Sequence, residues 1–176
     1  FDEILSLIAK YGMKTYFVSN LTVDCQASHY FSQEFIDLIY VHVTEAVVGN
    51  SEVRKQLIEN ILFARQMGIE LVFRDNIVDS NQDIEGWFEL IKETGIASLN
   101  IALTFPSGNR SNQYVSVDLF GEFTGIIADI VERCIREKIE LSFSKPVPLC
   151  VFNEEMQQLL ISNSRFHPLC GVYNHH

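Results

Sequence analysis

The chain has 176 residues, enough for one domain with its own core and few for a complete barrel of strand-helix units. Hydrophobic residues make up 47% and charged residues 20%, a globular composition that excludes disorder along any long stretch. The formal net charge of -10, with thirteen scattered Lys and Arg, argues against a nucleic-acid partner, because neutralising phosphates needs a clustered basic face.

Helical and strand patterns alternate from the first residues. Phe1, Ile4, Leu5, Ile8 and Ala9 have helical spacing, and Gly12 sits where a C-cap glycine stops a helix. The run Lys14 to Leu21 is aromatic and β-branched and turns polar at its end, which predicts a strand. A short helix from about Ser32 is expected to lead into a second strand, Leu38 to Thr44. Val53, Leu57, Ile61 and Ala64 then place one apolar face on a helix over 52–67, Gly68 closes it, and Ile69 to Arg74 reads as a strand. The same unit recurs as a helix over 84–93, Gly95, and the strand Ala97 to Leu103. A loop with Pro106, Gly108, Asn109 and Asn112 precedes a long helix over 117–137 and a fifth strand, Ile139 to Phe143. From Lys145 onward only one short helix is expected, near 154–160.

Strands separated by single amphipathic helices imply crossover connections and a parallel sheet. The expected fold class is therefore α/β, a parallel sheet with helical crossovers forming part of a partial (β/α) TIM-like barrel, here truncated. Residues 1–144 form that barrel part, 145–174 a connecting segment, and His175-His176 the start of a purification tag. The absence of an initiating Met suggests a piece cut from a longer protein. No apolar run reaches the roughly 20 residues that span a bilayer, and Phe1-Asp2-Glu3 is no signal-peptide n-region, so a cytoplasmic protein with no membrane partner is expected.

In parallel α/β folds ligands gather at the C-terminal ends of strands. Those positions hold Ser19 and Asn20, then His42, Thr44 and Glu45, then Arg74 and Asn76, then Asn100 and Thr104, and last Ser142 and Ser144. Strand alternation puts His42 with Thr44, and Arg74 with Asn76. Single polar residues there also arise simply because strand ends meet water. Arg74 differs, because an arginine beside Leu71-Val72-Phe73 needs an anionic partner, either a ligand or a protein carboxylate such as Glu45 or Asp75. No GxGxxG, P-loop, HExxH or hydrolase triad signature is present, so nucleotide fingerprints and ordinary hydrolysis lack support. Cys25, Cys134, Cys150 and Cys170 show no CxxC pair.

The strand ending Phe17-Val18-Ser19-Asn20-Leu21, the strand Tyr40-Val41-His42-Val43-Thr44, the helix 53–67 and the run Gly68 to Asn76 together resemble the central part of radical S-adenosylmethionine (SAM) enzymes. The first strand resembles the one ending Thr-Asn-Gly in that family, and the second the one carrying Ser-x-Asp. Pro146-Val147-Pro148-Leu149-Cys150 and Cys170-Gly171 are similar to the segment that joins the barrel to a cysteine-rich extension of the SPASM type. The resemblance covers nearly the whole chain and rests on order and spacing.

The resemblance implies a partial barrel that binds a 4Fe-4S cluster and SAM, cleaves SAM to a 5'-deoxyadenosyl radical, and acts as an oxidoreductase or maturase on a peptide or small-molecule substrate. The CxxxCxxC and Gly-Gly-Glu-Pro motifs of the family are absent and are expected upstream of Phe1. Without those thiolates this chain alone is expected to bind no cofactor and to be inactive. By position Ser19, Asn20, His42, Thr44, Arg74 and Asn76 become the SAM-binding candidates, with His42 and Thr44 replacing the Ser and Asp of the family. Arg74 and Asn76 stand where the family often places side chains near the SAM carboxylate and ribose. Cys150 and Cys170 become candidate ligands of an auxiliary cluster, against the alternative of ordinary thiols. A non-catalytic α/β binding or regulatory domain is the competing reading of the whole. The truncated sheet edge at the strand ending in Asn20 is expected to self-associate.

Overall fold

The computed structural model describes residues 2–44, 49–82, 84–104, 121–144, 147 and 149–163. Within them lie helices α1 (Asp2–Lys10), α2 (Ser51–Gln66), α3 (Glu85–Thr94), α4 (Thr124–Glu137) and α5 (Glu154–Asn163). The strands are β1 (Thr15–Ser19), β2 (Ile36–His42), β3 (Glu70–Ile77), β4 (Ser98–Leu103) and β5 (Glu140–Phe143). They follow chain order in the sheet, and β1/β2, β2/β3 and β4/β5 pair in parallel. Parallel neighbours cannot be joined by a tight turn, and α2, α3 and α4 supply the crossovers. The fold class is α/β, a parallel sheet with helical crossovers of the kind found in a partial (β/α) TIM-like barrel.

The expected helix from Ser32 is not formed. The amides of Phe35 and Ile36 both donate to the Ser32 carbonyl, 3.1 and 2.9 Å away, which makes a single turn. Tertiary contacts hold it there. Phe31 is buried and stacks on Phe63 with ring centroids 5.9 Å apart, and the Gln33 amide donates to the Met67 carbonyl at 3.1 Å. The segment is thereby tied to the end of α2, and β2 begins at Ile36 before a second turn can form.

Helix boundaries follow local chemistry. Asn50 caps α2, its Oδ1 accepting from the amides of Glu52 and Val53 at 3.1 and 3.2 Å. Gly68 ends the same helix at φ +76, where a Cβ would lie 2.7 Å from Gln33 Oε1. The left-handed conformation and the close approach both call for glycine.

The chain forms two compact units, Phe1–Arg74 with Glu85–Ile96, and Asp75–Ile84 with Ala97–His176. In the first, the register pairs Ile39 with Leu71 and Val41 with Phe73, and this row is buried. Leu57, Ile61 and Ala64 of α2 and Trp87, Leu90 and Ile91 of α3 are buried too, and each large side chain contributes about 1.5–3 kcal/mol. Arg54 pairs with Glu93 at 2.6 Å between these two helices. In the second unit Leu99 pairs with Leu141, Ile101 with Phe143, and α4 buries Ile127, Ile130, Val131 and Cys134. Met156 and Leu160 of α5 are buried, and that helix packs on α4.

Candidate functional site

Strand alternation gives the first unit a second sheet face, opposite the buried row. On it the register sets Val18 beside Tyr40, Tyr40 beside Val72, and His42 beside Arg74. The Arg74 guanidinium carbon lies 5.6 Å from the centroid of the Tyr40 ring, within cation–π range. Burial first, and the positive charge of Arg74 second, push the His42 imidazole below its ordinary value of 6.5. His42 is therefore neutral at neutral pH, and Arg74 carries the positive charge of this face. Among the described residues no carboxylate pairs with Arg74. Glu45, one of its expected partners, lies outside them.

The six candidate residues are distributed unequally. His42, the last residue of β2, and Arg74 stand side by side, but β3 continues to Ile77, so Arg74 lies within its strand and not at the end expected for it. Thr44 is exposed just past the end of β2, where the Val43 amide donates to the Arg74 carbonyl at 3.4 Å. Ser19 pairs with Val41 and so belongs to the opposite face. Its Oγ accepts from the Leu21 amide at 3.0 Å, while Asn20 Oδ1 accepts from the Thr22 hydroxyl at 2.9 Å. Both side chains serve the turn after β1, in which Leu21 takes φ +50 and is buried. Asn76 belongs to the second unit, where its amide donates to Asp75 Oδ1 at 2.7 Å and its carbonyl accepts from Gln82 at 3.3 Å.

Two residues that matter to this face were not singled out from the sequence. Tyr40 lies two residues before His42 on the same side of β2, a signal that alternation alone could have given. Asn60 is fully buried on α2, and its Nδ2 donates to the carbonyls of Leu21 and Val23, both at 2.7 Å. It fixes the turn that follows β1. A polar residue between Leu57 and Ile61 on an apolar helix face was its signal.

Among the described residues no group of three or more His, Cys, Asp or Glu could hold a metal ion. Burial pushes the Cys25 thiol up to about 11 and the Cys134 thiol up to about 12, so both are protonated, which is the opposite of what a metal ligand requires. Cys150 is exposed in the short 3-10 helix Leu149–Val151, and Cys170 lies outside the described residues. The described residues therefore do not fit an iron-sulfur cluster. A cavity of about 850 Å³ lies elsewhere in the first unit, lined mainly by apolar residues that include Ile4, Leu5, Ile8, Phe17, Leu21 and Phe31. None of Tyr40, His42 and Arg74 lines it. No helix among the described residues is long and apolar enough to cross a membrane.

No protein-family profile matches the sequence, and no curated protein matches it. Two solved structures are similar in fold. The first is SuiB of Streptococcus suis, with a TM-score of 0.56 at 13% identity, covering 81% of this chain and 35% of SuiB. The second is SuiB bound to S-adenosylmethionine, with a TM-score of 0.53 at 12% identity and the same coverages. The chain thus spans about a third of the length of SuiB. At such identities the likeness shows the fold, which is the partial-barrel type expected from the resemblance to radical SAM enzymes.

Proposed function

We propose that this chain is the S-adenosylmethionine-binding part of a radical SAM oxidoreductase or maturase acting on a peptide or small molecule. One observation carries the reading. Arg74, three residues before the end of β3, stands beside His42, the last residue of β2, with its guanidinium over the Tyr40 ring, in a fold shared with a protein whose structure holds SAM. Arg74 takes the carboxylate of the SAM methionine moiety, since a guanidinium presents two parallel N–H donors to a carboxylate. Tyr40 keeps that guanidinium from swinging outward, and the neutral His42 does not repel the sulfonium. Thr44 stands at the rim. SAM, when bound in such enzymes, supplies the organic radical that takes a hydrogen atom from substrate. The cysteine ligands of a cluster belong, in this proposal, to residues other than those described.

Isothermal titration of the anaerobically purified longer protein with SAM tests the binding step. A saturable heat is expected, and Arg74→Gln should weaken affinity at least about tenfold, or about 1.4 kcal/mol, with unchanged circular dichroism. Equal affinity in the two proteins, or no binding, overturns the assignment. The catalytic part is tested separately by the iron and sulfide content of the anaerobically purified longer protein. Absence of both there leaves a non-catalytic binding domain.

A further inference from the structure

On the side of β1 away from Tyr40, the cavity of about 850 Å³ in the first unit has no part in the proposed SAM site. Thr15, Phe17 and Ser19 of β1 form one wall, Leu5 and Ile8 of α1 a second, and the segment from Leu21 to Phe31 a third. Leu5, Leu21, Cys25 and Phe31 are at most 5% exposed and make the floor, whereas Ile4 and Val23, both more than half exposed, stand at the rim. The third wall is built rather than loose. The buried Asn60 side chain holds the carbonyls of Leu21 and Val23, Ser19 Oγ accepts from the Leu21 amide, and the Ser28 amide donates to the Cys25 carbonyl at 3.3 Å. A pocket whose shape is fixed in advance loses little conformational freedom on binding, and this volume falls in the range of small-molecule sites.

The charges around this cavity are of one sign. Asp2 and Asp24 line it, and among the described residues no Lys, Arg or His does. The Asp2 carboxylate accepts from the Ser28 hydroxyl, and Asp24 Oδ1 accepts from the Gln26 amide at 2.9 Å, each through one oxygen. Neither forms an ion pair among the described residues. The Ser28 bond brings Asp2, on α1, to the segment that carries Asp24, so the two carboxylates belong to one side of the cavity. A neutral apolar molecule would cover the floor and gain nothing from these charges, and a carboxylate or phosphate would be repelled. An apolar body ending in an ammonium group uses both features. We propose that this cavity binds a cationic amphiphile, with its apolar body on Leu5, Leu21 and Phe31 and its protonated amine at Asp2 and Asp24. The proposal stands on the residues of the cavity and does not depend on SAM binding.

The probe is octylammonium, followed by isothermal titration into the longer protein, with octan-1-ol and octanoate as the neutral and anionic molecules of the same tail. Saturable binding is expected, tightest for octylammonium and weakest for octanoate. Both carboxylates are exposed and partly screened by water, so the double variant Asp2→Asn with Asp24→Asn should weaken octylammonium about fivefold and leave octan-1-ol unchanged. Asparagine keeps an acceptor oxygen toward Ser28 and Gln26, so each hydrogen bond can persist. Ala27→Trp, at an exposed position of the lining, should weaken both molecules by filling the cavity. Absence of saturable binding to the longer protein overturns the proposal, as would a cavity covered by another part of that chain. Equal affinity for octylammonium and octan-1-ol, or binding untouched by Ala27→Trp, overturns it as well. Octylammonium affinity that falls as protein concentration rises also overturns it, by assigning the apolar surface to a second copy.

Discussion

Asn60 illustrates how much a single buried polar group can organise. Its Nδ2 serves two carbonyls in the turn after β1, and Gln56 in turn donates to its Oδ1 at 3.3 Å. Asn60→Leu would leave both carbonyls without that donor, and a loss of about 2–3 kcal/mol in urea unfolding is expected. His42 gives a prediction in pH. Its folded-state value lies below 6.5, so the unfolded chain binds the extra proton and stability rises with pH through this range. The contribution is complete above about 6.5 and is lost as pH falls through the folded-state value. Urea midpoints compared between about pH 7.5 and 5.5 should fall less in His42→Phe than in the parent chain. Arg74 was legible in the sequence because a charge adjoining three apolar residues is costly and noticeable. Ser19 and Asn20 were equally visible as polar strand-end residues, yet spacing could not reveal that their side chains are engaged in a turn.

At the scale of elements, strands and crossover helices were readable from period and punctuation. Gly12, Gly68 and Gly95 all take positive φ where the sequence placed helix stops. Gly95→Ala tests this directly. It sits at φ +66, with an added Cβ 2.9 Å from Arg65 Nη1, the group that donates to the Thr94 carbonyl. A loss of about 1–2 kcal/mol in thermal or urea unfolding is expected. The segment between β1 and β2 was misread as helical because its conformation is set by contacts with residues thirty or so positions away, Phe63 and Met67. Sequence windows carry no trace of such contacts. The near-continuous burial of β4 explains why its apolar run could be recognised as a strand without alternation.

At the scale of the whole molecule, exposed apolar side chains concentrate near the start of the chain. Ile4, Leu7, Tyr16, Val18 and Val23 are each at least half exposed, and among the described residues β1 pairs with β2 on one side only. An open strand edge beside such a surface favours association. Sedimentation equilibrium at increasing concentration should show self-association, reduced by Val18→Lys, whereas a monomer at every concentration would contradict it. The central functional claim is that SAM binds on the Tyr40–His42–Arg74 face of the first unit. Amide chemical-shift mapping of the 15N-labelled longer protein during SAM titration tests it most directly. The largest shifts are predicted at residues 38–44 and 72–74. Shifts confined to the lining of the apolar cavity beside α1, or no shifts, would contradict the account.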